Sequence, residues 1–379
     1  MRLLRPEPLG AARRGQAWRM SIAMALAAVA LPAHAQSGVQ LQGIVDLEGW
    51  STDTNSTFLR RNGGKPGPLA RLQLWGALEP LRGLVLYAQG EAEQGSASHS
   101  AEYGALEQLG VRYTPTRRLV LDAGKFTLPI GTFAARRFST RNPLIGVPDA
   151  YPVLYPTGVK LSGVARMLDY RVAVVDLPPA HAGYTPDPDR AWRPVIGGGI
   201  TPYVGLRLGA SYSVGPYLND NLTATQLAQR NWRSYKQRVT AADLALSIGY
   251  FELNAEAAQG KYDVPNRSES VDGVAYYVEG KYTFTPRLYF ALRLERNDYP
   301  FISPFPTFWV ARKTDFHNEE YGVGYRLAAT TLFKVSFRGD RWHVNPGNQA
   351  FIRSGGEALA VQLSQSYDVM DWIERARSR

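Results

Sequence analysis

The fold is decided by a stretch in which two kinds of side chain alternate, Leu288-Tyr289-Phe290-Ala291-Leu292-Arg293-Leu294-Glu295. Large apolar side chains occupy its even positions, and its odd positions end on an arginine and a glutamate. A period of two indicates a β-strand with two different faces, because successive side chains of a strand point to opposite sides. The spacing of three and four residues that an amphipathic helix requires does not occur here.

The same alternation continues outward from this stretch over most of the chain. No window after the N-terminal 35 residues favours a long helix, so we predict an all-β protein. Sixteen strands are predicted, near residues 38–50, 69–79, 84–93, 104–114, 119–126, 157–164, 169–176, 193–200, 205–214, 236–247, 250–261, 271–283, 287–297, 317–327, 330–342 and 356–369.

The connections between these strands are alternately short and long. Short turns are predicted at residues 80–83, 114–117, 201–203 and 283–287. Long polar loops follow the odd-numbered strands, near residues 51–68, 94–103, 127–156, 177–192, 216–235, 262–270, 298–316 and 343–355. An even number of strands with this sorting is typical of a transmembrane antiparallel β-barrel in a bacterial outer membrane, with short periplasmic turns and long extracellular loops. A soluble β-sandwich is the alternative, but its connections do not sort in this way.

Bulk composition alone points elsewhere. The chain has 379 residues, 45% of them hydrophobic, no cysteine and a net charge of +10, with a mean hydropathy of −0.25. These values fit a soluble protein of two or three domains and exclude a disulfide scaffold. The order of the residues corrects this interpretation, since a wet lumen needs the polar half of each strand and a lipid-facing band needs the apolar half.

The N-terminus has the features of a secretory signal peptide. Five arginines precede an apolar run from Met20 to Leu31, and small residues follow at Ala33 and Ala35. We therefore expect a cleaved signal at residues 1–35 and a single outer-membrane barrel domain at residues 36–379. Cleavage removes five arginines and one glutamate, which lowers the net charge from +10 to +6. A short buried N-terminal helix is the alternative interpretation.

The fifth predicted strand and the loop after it carry a resemblance to a known family. The segment from Leu121 to Gly131, with Gly124-Lys125-Phe126 and Pro129 inside it, resembles Gram-negative outer-membrane porins. It is most similar to the phosphate-selective (O and P type) group. The resemblance implies sixteen strands, a homotrimer, and a third loop, here 127–156, that folds into the lumen as a constriction.

The C-terminus departs from that resemblance. Porins of this type end on an aromatic residue that the barrel-assembly machinery recognises, whereas this chain runs past Tyr367 and Trp372 to Arg379. Two alternatives remain open. The last strand closes near Tyr367 or Trp372 and leaves a short tail at about residues 370–379, or the assembly signal is atypical.

Charged residues of the third loop and of the strands are the candidate pore lining. The constriction candidates are Lys125, Arg136, Arg137, Arg141 and Asp149. The lumen-wall candidates, taken from strand parity, are Arg71, Arg112, Arg293, Arg326, Lys334, Arg338, Glu279 and Glu295. A basic constriction favours anions, so we expect a passive channel for small anionic or polar solutes in contact with outer-membrane lipid.

No motif in the chain points to catalysis, a cofactor, a metal site or nucleic-acid binding. His317 beside Asp315, and His343 near Asp340, are the residues from which a hydrolase site at the barrel rim would be built. Hydrated rim residues are the simpler interpretation, and we expect no enzymatic activity. A structural or receptor barrel closed by its own loops is the other alternative.

Overall fold

The computed structural model describes residues 38–54, 61–98, 102–148, 154–179, 189–220, 231–265, 267–298, 301–303, 309–311, 314–344 and 354–370. The expected signal peptide lies outside the described residues, as does the end of the C-terminal tail from residue 371. Among the described residues, no helix is long and apolar enough to cross a membrane.

Sixteen strands form one closed antiparallel barrel. They are β1 (Val39–Thr52), β2 (Gly67–Leu81), β3 (Leu84–Gln94), β4 (Glu102–Thr116), β5 (Leu119–Lys125), β6 (Thr157–Ala165), β7 (Leu168–Val175), β8 (Arg193–Tyr203), β9 (Leu206–Pro216), β10 (Lys236–Ile248), β11 (Phe251–Tyr262), β12 (Val271–Thr283), β13 (Leu288–Asn297), β14 (Thr314–Ala328), β15 (Thr331–Val344) and β16 (Ser354–Asp368). Two short strands, Phe301–Ser303 and Trp309–Ala311, pair only with each other between β13 and β14. The predicted barrel and its sixteen strands are confirmed, and the sandwich alternative is excluded.

The barrel closes where β16 pairs with β1. Gly43 lies opposite Tyr367, and the ladder runs from Gln42 with Asp368 to the other end of β1. Of the two positions considered for the end of the last strand, the structure has the one near Tyr367. Closure leaves no open sheet edge, which in lipid would expose unpaired N–H and C=O groups.

The two faces of the strands differ as the alternation predicts. On β1, Leu47 points outward and its side chain is 55% exposed, while Asp46 and Glu48 point inward and are buried. The outward faces of the barrel therefore form an apolar surface suited to lipid. The inward charges are buried because they pair across the strands and because the third loop covers them.

Short turns gather at one end of the barrel, which we call the short-turn end, and long loops gather at the other. Three of the predicted short turns join the expected strands but begin later than predicted, because Pro80, Pro115 and Pro202 lie inside the ends of β2, β4 and β8. In each of these strands the register with the next strand shifts across the proline. Proline lacks an N–H to donate to the ladder, and a β-bulge accommodates it without ending the strand.

Candidate functional site

The third loop, residues 126–156, leaves the barrel wall early because β5 has only seven residues. Its described parts are residues 126–148 and 154–156. Backbone hydrogen bonds join its two ends, from Phe126 N to the Pro156 carbonyl at 3.1 Å and from Leu128 N to the Leu154 carbonyl at 3.0 Å. Phe126 and Leu128 are buried in an apolar cluster with residues of β7, β8, β10, β11 and β12. The loop therefore starts inside the barrel and not above it.

Glu256 on β11 holds the first bend of the loop. Its Oε1 accepts hydrogen bonds from Thr132 N at 2.7 Å, from Thr132 Oγ1 at 2.8 Å and from Phe133 N at 2.6 Å. The Tyr277 hydroxyl donates to the same oxygen at 2.9 Å. Gly131 has a φ of +67°, and a Cβ there would overlap Oε2 of Glu256. This explains why the porin-like segment ends on glycine, since only glycine combines that backbone conformation with so close an approach.

Arg293 on β13 binds the second bend of the loop. Its guanidinium is fully buried and donates to the Glu279 carboxylate at 2.5 and 3.0 Å. It also donates to Asn142 Oδ1 at 2.8 Å and to the Gly146 carbonyl at 2.9 Å. Glu320 lies 3.3 Å from the same guanidinium and accepts a hydrogen bond from Gly146 N at 2.8 Å. A single buried network thus joins three strands to the loop backbone.

Lys334 on β15 supports the segment between these two contacts. Its ammonium group is fully buried and donates to three loop carbonyls, those of Ser139 at 2.9 Å, Asn142 at 3.1 Å and Leu144 at 2.9 Å. These bonds use all three donors of the ammonium group. The loop carbonyls are thereby satisfied inside the lumen.

The loop also contacts the opposite wall. Arg137 pairs with Glu107 on β4, and its Nη1 lies 3.4 Å from Glu91 on β3. The rings of Phe138 and of Trp75 on β2 pack with centroids 5.4 Å apart. Since β3 and β4 lie across the barrel from β11 to β13, the third loop spans the lumen from one wall to the other.

Two of the predicted constriction arginines are neutralised by wall glutamates. Arg136 donates to Glu279 at 2.7 Å and to the Tyr277 hydroxyl at 3.2 Å. Burial lowers the pKa of Arg136, but the adjacent Glu279 carboxylate outweighs it and holds that pKa above its ordinary value. Arg137 is paired with Glu107 as described. Both arginines lie in the lumen, and neither presents an uncompensated charge.

The other constriction candidates are placed differently. Lys125, at the end of β5, donates to the Leu106 carbonyl at the base of the loop. Arg141 is exposed and contacts the Ala135 carbonyl at 3.3 Å. Asp149 lies outside the described residues.

The predicted wall residues lie on the inward faces of their strands. Arg71 bridges Glu48 at 2.9 Å and Glu93 at 2.6 Å, and Arg112 pairs with Asp122 at 2.7 Å. Four others contact the third loop, namely Arg293, Lys334, Arg338 and Glu279. Glu295 is buried in the wall, and Arg326 lies at the short-turn end.

Parity missed one important carboxylate, Glu107. Gln89 faces Gln108 and Gly90 faces Leu106, so Glu107 is the extra residue of a β-bulge in β4. The bulge turns its side chain inward, where it is 5% exposed and bound to Arg137. Glu320 was also not singled out, although it shares the parity of Arg326.

Three arginines in or beside the third loop carry charge that no neighbouring carboxylate balances. Within the described part of the chain, no carboxylate oxygen lies within 4.0 Å of the guanidinium groups of Arg141, Arg287 or Arg326. All three line one cavity at the short-turn end. Arginines without a neighbouring carboxylate therefore gather beside the constriction, at its short-turn side.

The residues considered for a rim hydrolase lie on the paired strands β14 and β15. The strand register places Asp315 opposite His343, and His317 opposite Arg341. His317 is exposed and follows the outward parity of β14. The side chains of Asp315 and His343 lie outside what the structure describes.

Comparison with known proteins gives one family and several similar folds. A family model described as "Gram-negative porin" matches residues 23–339. A sequence comparison with curated proteins finds no match. The solved structures that resemble this barrel include an anion-selective porin from Comamonas acidovorans, 11% identical, covering 88% of this chain and 100% of that chain with a TM-score of 0.59.

Two further solved structures have a similar fold. The outer membrane channel DcaP of Acinetobacter baumannii is 12% identical, with 89% of this chain and 99% of that chain covered and a TM-score of 0.65. OmpF of Salmonella typhi, in a complex with daunomycin, is 11% identical, with 89% and 99% covered and a TM-score of 0.58. At these identities the likeness concerns the fold alone.

Proposed function

The chain belongs to the Gram-negative porin family, and from that premise we propose that its channel passes small anions in preference to cations. The channel itself follows from the family and the fold, since a sixteen-stranded barrel in the outer membrane encloses an aqueous path for small hydrophilic solutes. The preference for anions is the part that needs an argument from the charges.

The observation that carries this proposal is the uneven balance of charge around the third loop. Arg136 and Arg137 are matched by wall glutamates, so their charges cancel locally. Arg141, Arg287 and Arg326 are not matched, and they line one cavity beside the constriction. Unbalanced positive charge at a narrow, low-dielectric passage raises the local concentration of anions and lowers that of cations.

Several finer features belong to the same proposal. We propose that residues 1–35 are removed as a signal peptide, that the barrel-assembly machinery inserts the mature chain, and that it forms a homotrimer. The resemblance of Leu121 to Gly131 supports a place near the phosphate-selective group. The close contact between Gly131 and Glu256 explains why the segment ends on glycine, but it does not indicate which solute the channel passes.

Reversal potentials across a planar bilayer in a potassium chloride gradient test the preference. We expect the wild-type channel to favour chloride, and the double variant Arg287→Gln/Arg326→Gln to lose much of that preference. The matched control is Lys236→Gln/Lys261→Gln, which removes the same charge from the outward faces of β10 and β11 and should leave the reversal potential unchanged.

The outcomes separate the candidate functions. A cation preference of the wild-type channel would overturn the proposed selectivity and leave the channel itself intact. Absence of any conductance would favour a barrel closed by its own loops.

A further inference from the structure

A cavity lies under the third loop at the short-turn end of the barrel. Its volume is about 90 Å³, several times the space that one buried water needs. One side is formed by the loop at Arg141 to Pro143, and the other by the adjoining ends of β12 to β15. The cavity is therefore a pocket between the constriction and the short-turn mouth.

Two arginines of the cavity are direct cross-strand neighbours. Leu288 faces Tyr325 in the ladder, so Arg287 and Arg326 form the next pair, and Arg326 N donates to the Arg287 carbonyl at 2.8 Å. Side chains at such a position have their Cβ atoms roughly 5 Å apart. Like charges placed directly opposite each other are destabilising unless an anion lies between them.

The remaining lining adds positive charge and donors but no acid. Arg141 contributes a third guanidinium from the loop. Lys281 lies 5.3 Å from the centre of the Tyr289 ring and is paired with Glu252 at 2.7 Å, so its charge is already balanced. As the described residues define it, none of the thirteen residues lining the cavity is acidic.

We propose that this cavity is a binding site for a small dianion, such as sulfate or a short dicarboxylate. Guanidinium groups bind paired oxygens in a bidentate way, and two of them on adjacent strands fit the two charges of one ligand better than those of a monoanion. Thr140 and Thr283 also line the cavity and carry hydroxyl groups that hydrogen-bond oxygen ligands. The site deepens the proposed function, since it rests on anions reaching this end of the channel.

The position of the site gives it a distinctive consequence. It lies on only one side of the third loop, so a dianion added at the short-turn side reaches it without crossing the constriction. A dianion added at the loop side must first pass that constriction. Occupancy of the cavity therefore blocks chloride current more strongly from the short-turn side.

Single-channel recording with sulfate or malonate added to one side tests the proposal. The chain has no cysteine, so Val204→Cys, at a short turn where the side chain is 99% exposed, reports the orientation by reaction with an impermeant maleimide. We expect block at least about tenfold weaker from the loop side. Acetate, a monoanion, should block weakly from both sides.

The variants make the assignment specific. Arg287→Gln/Arg326→Gln should raise the half-blocking concentration of sulfate at least about tenfold, because bonds between charged groups are lost. Lys236→Gln/Lys261→Gln should leave it unchanged. Equal block from both sides, or block unaffected by the arginine variant, would overturn the site. If the wild-type channel prefers chloride but sulfate blocks it equally from both sides, the binding site is rejected and the proposed anion preference stands. If the wild-type channel prefers cations, the proposed function itself is contradicted.

Discussion

Replacing Glu256 by alanine is the sharpest test of how the third loop is held. The side chain is 4% exposed, and its Oε1 accepts two loop amides and one loop hydroxyl. A buried donor left without an acceptor costs roughly 1–3 kcal/mol. For the two amides of Thr132 and Phe133 we expect a loss of about 3 kcal/mol in the free energy of local opening, equivalent to a roughly 100-fold faster amide exchange.

Hydrogen–deuterium exchange followed by mass spectrometry measures this effect on the peptide that contains Thr132 and Phe133, with the protein in detergent micelles. Glu252→Ala is the matched control, because Glu252 is on the same strand and is bonded to Lys281 and not to the loop. Glu256→Gln keeps an acceptor oxygen and should give an intermediate rate. Unchanged exchange in Glu256→Ala, or an equal increase in Glu252→Ala, would refute the reasoning.

Two other predictions concern the loops. Gly131→Ala should displace the third loop and increase the open-channel current noise, because a Cβ at this position overlaps Glu256. Gly249 also has a positive φ, +57°, but has open space around it, so Gly249→Ala should leave the noise unchanged. Equal noise in the two variants would contradict the argument. Partial burial raises the pKa of Asp263, but hydrogen bonds from Ser270, Arg238 and Lys236 N outweigh it and hold that pKa below its ordinary value. The stabilisation is then present above the unfolded pKa and is lost as the pH falls through the folded one, so melting temperatures of wild type should drop more steeply than those of Asp263→Asn below about pH 4.

The strands were predictable because the signal is local. Alternation over ten or more residues, as in Leu288 to Glu295, fixes both the strand and the face that each side chain occupies. The short turns near Pro80, Pro115 and Pro202 join the predicted strands but begin later in the chain than predicted, because a bulge lets a strand continue past a proline. A bulge also reverses parity, which is why Glu107 was missed.

The charge balance at the loop was not predictable from the sequence. Arg136 and Glu279 are separated by 143 positions, and no local pattern shows that they pair. Counting charges on the third loop alone indicates a basic constriction, whereas folding places glutamates of distant strands against two of those arginines. Of the unmatched arginines on the wall, Arg326 was expected there from strand parity, whereas Arg287 lies at a short turn that was predicted only as a connection.

The bonds made by the third loop also set an order of events during assembly. The loop follows the fifth strand, yet Glu256, Arg293 and Lys334 come from the eleventh, thirteenth and fifteenth. A chain whose C-terminal strands have not yet joined has no partners for the loop carbonyls and amides. The passage is therefore narrowed only after the wall is nearly complete, so the time at which the pore acquires its final width reports the completion of the barrel.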